Sequence, residues 1–221
     1  MVRVRVWDLP IRLFHWMLAL AVVGLLITAN LGGFWMDWHM RLGVFVLSLL
    51  IFRLLWGLVG GRWSRFSTFL YSPSALLAYL RGQAPLMHRV GHTPLGALSV
   101  FALLGILTLQ VATGLFTDDA IFFSGPLVMI GSNEWIEWAS RYHKGLGKYL
   151  VLVLVGLHLL ALLVYKIVKK QALVAAMVHG DKTLSEAVPS SSDRLVDGLK
   201  AMPVYLLACG LAFLIVSLGG H

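Results

Sequence analysis

Eight histidines lie along this 221-residue chain, and four of them sit where a histidine is hard to explain as filler. His15 falls one turn inside a long apolar run, His39 at the start of a second, His143 at the start of another and His158 within it. His143 and His158 are 15 positions apart. On one helix that spacing is about 22 Å of rise with a net rotation of about 60°, so both can face the same side. By position the four fall into two levels, with His39 level with His143 and His15 closer in depth to His158. Neutral imidazole is a metal ligand, and an axial pair on facing helices can hold a haem iron from both sides. Ligation also removes the cost of an unsatisfied ring nitrogen in an apolar core. Taken singly, His39 and His143 are equally readable as hydrogen-bonded structural histidines and His158 less so; the paired depths favour haem. His88, His92, His179 and His221 fall in loops or the tail and read as solvated or headgroup residues.

The elements that must position these rings are long and apolar. Apolar side chains make up 59% of the chain and charged ones 13%, against roughly 45–50% and 25% in soluble domains. A soluble domain of this size could not bury that much apolar side chain, and disorder needs the opposite composition. With one cysteine, Cys209, a disulfide scaffold is also excluded. An integral membrane protein remains. A span needs about 20 mostly apolar residues, and five runs qualify: Leu13 to Ala29, Leu42 to Val59, Leu95 to Phe116, Tyr149 to Val168 with a start nearer His143, and Ala201 to Leu218. They lack the alternation of barrel strands, so helices are expected. The first run is not read as a secretory signal, because no small-x-small cleavage site follows it and His15 interrupts it.

Charge gives an expected orientation. Thirteen of the 18 basic residues fall in the N-terminal segment, the loop between spans two and three, and the segment between spans four and five. The other loops hold Asp37, Asp118, Asp119, Glu134 and Glu137. The positive-inside rule then puts the N-terminus in the cytoplasm and, after five spans, His221 in the periplasm of a bacterial inner membrane. The net charge of +8 is read as topology and not as nucleic-acid binding. Aromatics at Phe34, Trp35, Trp38, Trp135, Trp138 and Tyr142 bracket the outer turns at the lipid interface. The stretch from Thr117 to Tyr142 reads as an outer loop. Glu186 to Asp197, with Pro189 and three serines, reads as a flexible linker. The expected organisation is a four-helix domain over 1–182, a linker over 183–200 and an added helix over 201–221.

A haem also brings propionates, which need cations or donors. Arg12 at the inner level and Arg41 or Lys144 at the outer level are candidates. Arg53 lies inside the second span and must pair with a haem or protein carboxylate or snorkel inward. Gly24, Gly43, Gly105, Gly114, Gly147 and Gly156 either clear space for a flat ring or let helices pack closely. Iron–sulfur, covalent haem and nucleotide motifs are absent. No carboxylate lies in the spans, which argues against a proton-coupled transporter.

The stretch V-W-D-L-P-I-R-L-F-H-W from Val6 resembles the start of bacterial cytochrome b-561 proteins and of the b-type cytochrome subunits of nickel–iron hydrogenases. H-M-R-L-G from His39, R-L-L-W-G from Arg53, G-H-T-P-L-G-A-L-S from Gly91 and Q-V-A-T-G-L-F-T-D-D ending at Asp119 are also similar. So are H-K-G-L-G-K from His143, G-L-H ending at His158, and L-V-A-A-M-V-H-G-D-K ending at Lys182. The resemblance implies an all-α four-helix bundle with two b-type haems. Their implied ligands are His15 with His158 for the inner haem and His39 with His143 for the outer one. It also implies electron exchange between the quinone pool and a periplasmic partner, either a cytochrome c or an oxidoreductase subunit. A quinone site is expected near the inner haem, with Arg12, Tyr165 and Lys166 as candidates. Alternatives are an anchor subunit of a larger periplasmic oxidoreductase such as a hydrogenase, a stand-alone quinol oxidoreductase, and a haem-free transporter or scaffold. The fifth span has no counterpart in the family pattern and is expected to be an appendage.

Overall fold

Asp8 sets where the first long helix starts. Its Oδ1 accepts the Ile11 N–H at 2.9 Å, satisfying a donor that every helix N-terminus leaves open. Pro10 occupies the first turn, where its missing N–H costs nothing. The computed structural model describes residues 1–192 and 195–220. Arg194 and His221, both used above to read topology, lie outside the described residues.

Among the described residues five helices are long and apolar enough to cross a membrane: α1 (Leu9–Leu31), α2 (Trp35–Val59), α3 (Pro94–Gly114), α4 (Asn133–Ile167) and α5 (Leu195–Ser217). Leu20, Leu157, Leu163, Leu206 and Phe213 on their surfaces stay exposed, as side chains facing lipid must. The chain is a multi-pass membrane protein built as a helical bundle. Gly32 and Gly33, at φ +64° and +55°, make the tight turn from α1 to α2; only glycine takes that conformation without strain.

All five helices begin earlier than the apolar runs that announced them, and in α2 and α4 the difference bears on the site. α2 starts at Trp35, so His39 lies inside it. α4 starts at Asn133, and the last part of the expected outer loop is helical. Ser132 caps it, its Oγ accepting the Trp135 N–H at 3.3 Å. A hydropathy window passes over such polar first turns, whereas a Ser followed by an acidic residue is a start signal.

By its contacts the chain divides into two units, each crossed by the long helices. The first comprises Met1–Phe14, Arg53–Ala102 and Val155–Val204; the second comprises His15–Phe52, Leu103–Leu154 and the chain from Tyr205 on. In the first unit β1 (Val2–Arg5) pairs antiparallel with β2 (Asp181–Leu184), Arg5 opposite Asp181. This small sheet adds to the all-α reading. Arg3 and Arg5 both bond the Asp181 carboxylate. Burial alone would raise that carboxyl, but the two arginines outweigh it and hold it below the usual range.

The segment expected as a flexible linker is fastened to the first unit. Trp63 Nε1 donates to the Pro189 carbonyl at 2.9 Å. Ser191 donates its N–H to Arg5 O at 2.7 Å and its hydroxyl to Val6 O at 2.8 Å. Serine and proline look like loop residues in a sequence, but here their polar groups close backbone acceptors and donors. In the second unit α5 is part of the core. Ala208 and Ala212 are buried, Tyr205 meets Phe52 edge-on at 5.9 Å, and the Pro126 carbonyl stands where a Cβ on Gly219 would be.

Candidate functional site

His39 on α2 and His143 on α4 come together in the second unit, their ring centres 6.1 Å apart and their planes at 87°. His39 Nδ1 lies 3.1 Å from the Leu25 carbonyl and 3.3 Å from Thr28 Oγ1. His143 Nδ1 lies 2.8 Å from the Gln110 carbonyl. A carbonyl oxygen only accepts, so each Nδ1 carries the proton and each Nε2 keeps its lone pair. That tautomer is the one a metal needs, with the far nitrogen anchored to the protein. The spacing fits as well. Metal–imidazole bonds of about 2.0–2.1 Å, as in zinc sites, plus about 1.1 Å from each nitrogen to its ring centre, would set two imidazoles sharing one metal about 6.3 Å apart. Among the described residues no three His, Cys, Asp or Glu side chains cluster as a metal site.

The backbone around His143 is built for this placement. Residues His143–Gly147 form a π-helical turn inside α4, with Gly145 at φ −106° and ψ −105°. Such bulges cost regular hydrogen bonds and recur at functional sites. The Gln110 side chain supports the turn, its Nε2 donating to the His143 carbonyl at 2.9 Å. Gln110 therefore holds His143 twice, through its own carbonyl to the ring and through its amide to the backbone. Gly114, one turn further along α3, gives the ring its room, because a Cβ there would stand 2.7 Å from His143 Cε1. Gln110 was not read as a site residue; its signal was a lone amide side chain in an otherwise apolar span. Replacing Gln110 with leucine is expected to weaken haem retention at this pair by about ten- to a hundredfold, the usual cost of losing a group that orients a ligand. Haem loss to apomyoglobin, timed by absorbance, measures it.

The glycines now sort by use. Gly24 and Gly147 allow close packing, against Leu42 and against Gln110 and Tyr142 respectively. Gly43, Gly105 and Gly156 have open space where a side chain would be. Gly43 follows His39 by four residues and so shares its helix face.

The remaining site residues are placed as follows. His15 is half-buried on α1 in the second unit, with Trp16 edge-on at 5.2 Å. His158 is half-buried on α4 in the first unit. Arg12 donates to the Val178 carbonyl at 2.8 Å. Arg41 lies over the Trp38 ring at 5.4 Å. Lys144 donates to the Asp118 carbonyl at 2.9 Å. Arg53 is 2% exposed and lies over Phe66 at 4.5 Å. Tyr165 shares a hydrogen bond with Tyr79 and lies 3.4 Å from Thr93 Oγ1. Burial and then that bond push the Tyr79 phenol up to about 12.

A bundle of apolar helices with a pair of anchored imidazoles has the make-up of a membrane cytochrome. The family model for prokaryotic cytochrome b561 matches residues 6–180, and the chain belongs to that family. It is a b-type, haem-binding electron-transfer protein of the membrane. Similar proteins include a probable Ni/Fe-hydrogenase B-type cytochrome subunit of Bradyrhizobium diazoefficiens, 25% identical, with 81% of this chain and 85% of the relative covered. A protein of the same description from Cupriavidus necator is 26% identical, with 82% and 87% covered. No solved structure matches the chain.

Proposed function

We propose that the chain holds two b haems and conducts electrons across the bilayer between a periplasmic redox partner and the quinone pool. The observation that carries this is the His39–His143 pair, with its spacing and both Nδ1 atoms anchored. His39 and His143 hold the outer haem, and His15 and His158 the inner one. When bound, haem iron supplies one-electron exchange between its ferric and ferrous states. The chain's own residues do the rest. The anchored rings fix ligand orientation and basicity, the apolar helices keep water out and lower the dielectric, and Arg12, Arg41 and Arg53 are the cations for propionates. Tyr165 with Tyr79, together with Arg12 and Lys166, forms the quinone end, where the hydroxyls exchange the protons that accompany quinone reduction.

The names of the relatives favour a second form of the same reading, in which the chain is the cytochrome b anchor of a larger oxidoreductase such as a nickel–iron hydrogenase. Oxidation of quinol by the purified chain with a cytochrome c acceptor supports the stand-alone form. Recovery of a large soluble subunit with the tagged chain, and no quinol activity without it, supports the anchor form.

The orientation has its own test. Phe122, 85% exposed, sits at the tip of the loop between α3 and α4. Phe122→Cys is expected to react with an impermeant thiol reagent from the periplasmic side only. Labelling from the cytoplasmic side alone reverses the topology.

A further inference from the structure

The segment that joins α2 to α3, residues 60–93, lies wholly in the first unit. It leaves the membrane and re-enters it on one side, because no span lies between. It carries Arg62, Arg65, Arg81 and Arg89 and no acidic residue. Its two ends fold around a cavity of about 300 Å³, at the small end of the range for ligand pockets. Tyr71 pins those ends together. Its ring packs on His88 at 4.7 Å, and its hydroxyl donates to the His92 carbonyl at 2.8 Å. Arg62 lines the cavity, exposed and lying over the Trp63 ring at 5.8 Å. His88 lines it too, and its Nδ1 is buried with no partner among the described residues. A buried N–H without an acceptor is rarer than an unfilled lone pair. The ring proton therefore belongs on Nε2, the nitrogen left to donate to a ligand. The exposed Ser67 hydroxyl adds a further donor. Thr68 and Tyr71 have already spent their hydroxyl protons, on the Arg65 and His92 carbonyls, so their oxygens can only accept.

This lining has a definite complement. A guanidinium and an imidazole N–H suit the oxygens of a phosphate. Two acceptor hydroxyl oxygens suit a neutral alcohol beside it. Among the described residues no carboxylate lines the cavity, so a choline or ethanolamine ammonium would find no counter-charge. Leu70 and Met87, both exposed, add apolar surface at the same cavity. The segment begins directly after Val59 ends α2 and stops directly before Pro94 begins α3, which is the depth of lipid headgroups. We infer that the cavity binds the headgroup of an anionic phospholipid, a phosphodiester carrying a polyol. Arg62, His88 and Ser67 hold the phosphate, Thr68 and Tyr71 accept from the polyol, and Leu70 and Met87 lie along the first acyl methylenes. The inference does not depend on the haem count. Free phosphate offers the same anionic oxygens, and the test separates the two sources.

Lipid binding to the full-length protein, purified in an uncharged detergent, tests this. The protein is titrated with phosphatidylglycerol, with phosphatidylcholine of the same acyl chains and with inorganic phosphate, and bound lipid is counted by native mass spectrometry. Phosphatidylglycerol is expected to bind about tenfold more tightly than phosphatidylcholine, the worth of one charge-assisted hydrogen bond. Arg62→Gln is expected to abolish that preference and His88→Leu to reduce it. Arg81→Gln is expected to keep it, because Arg81 is exposed on the same segment but does not line the cavity. Arg62 is itself exposed, so its replacement should leave the fold intact, and a thermal melt of each variant checks this. Equal binding of the two lipids to the wild type overturns the inference. So does an equal loss in Arg62→Gln and Arg81→Gln, which would make the attraction a diffuse effect of the segment's charge. Inorganic phosphate that displaces phosphatidylglycerol at equal concentration makes this a free-phosphate site and overturns the lipid assignment.

Discussion

Replacing His143 with alanine is expected to leave a folded chain that carries one haem where the proposed wild-type complement is two. The expected effect is complete because a haem held between His39 and His143 would lose one of its two imidazoles, and nothing beside them can take over. Gln110 presents its own carbonyl to the lost ring and its amide to the backbone, and neither is a haem ligand of the type used here. Gly114, which otherwise makes room for the ring, leaves a void. α4 itself should persist, since its π turn is held from Gln110 through the residue 143 carbonyl, which alanine keeps. His158→Ala is the companion measurement and removes the other haem. Pyridine haemochrome per chain, with circular dichroism as the folding control, reads both. Two haems in either variant contradict the ligand assignment.

The second large effect is on stability. Asp8→Ala removes a carboxylate that is 2% exposed and accepts from three donors. It caps α1, binds Trp56 and Ser64, and is the counter-charge near Arg53. Loss of a helix cap costs about 1 kcal/mol. Leaving the buried Ser64 and Trp56 donors unsatisfied costs about 1–3 kcal/mol for each. The expected total is at the upper end of single-residue effects, about 4 kcal/mol. Asp8→Asn should recover the cap but not the charge. Denaturation of the detergent-solubilised protein gives the difference. A loss near 1 kcal/mol for Asp8→Ala would mean that the cap is its whole contribution.

The positions of the spans were legible because the apolar runs are long and the charges between them sparse. The four histidines stood out for the same reason, each a titratable group in an apolar stretch. What the sequence hid depends on contacts between distant segments. Nothing local announces that Gln110 meets the backbone of His143, 33 positions on, or that His143–Gly147 departs from α geometry, although two glycines within five residues are compatible with it. The start of α4 was missed because its first ten residues, Asn133–Tyr142, are amphipathic. The V-R-V-R-V alternation at the N-terminus is a strand pattern, but its partner lies near residue 181 and only folding supplies it. His92 looked like a loop histidine because Trp7 and Phe69, which bury it, come from elsewhere in the chain. Arg53 was readable as an anomaly; that Nη1 and Nη2 find no acceptor among the described residues was not.

The central claim is that this chain carries haem iron between pairs of histidines. A reduced-minus-oxidised absorption spectrum of the detergent-purified protein, with haem quantified per chain as pyridine haemochrome, tests it most directly. The account predicts b-type bands and two non-covalent haems per chain. A colourless protein, expressed with ample haem supply, would make the four histidines structural and contradict the account.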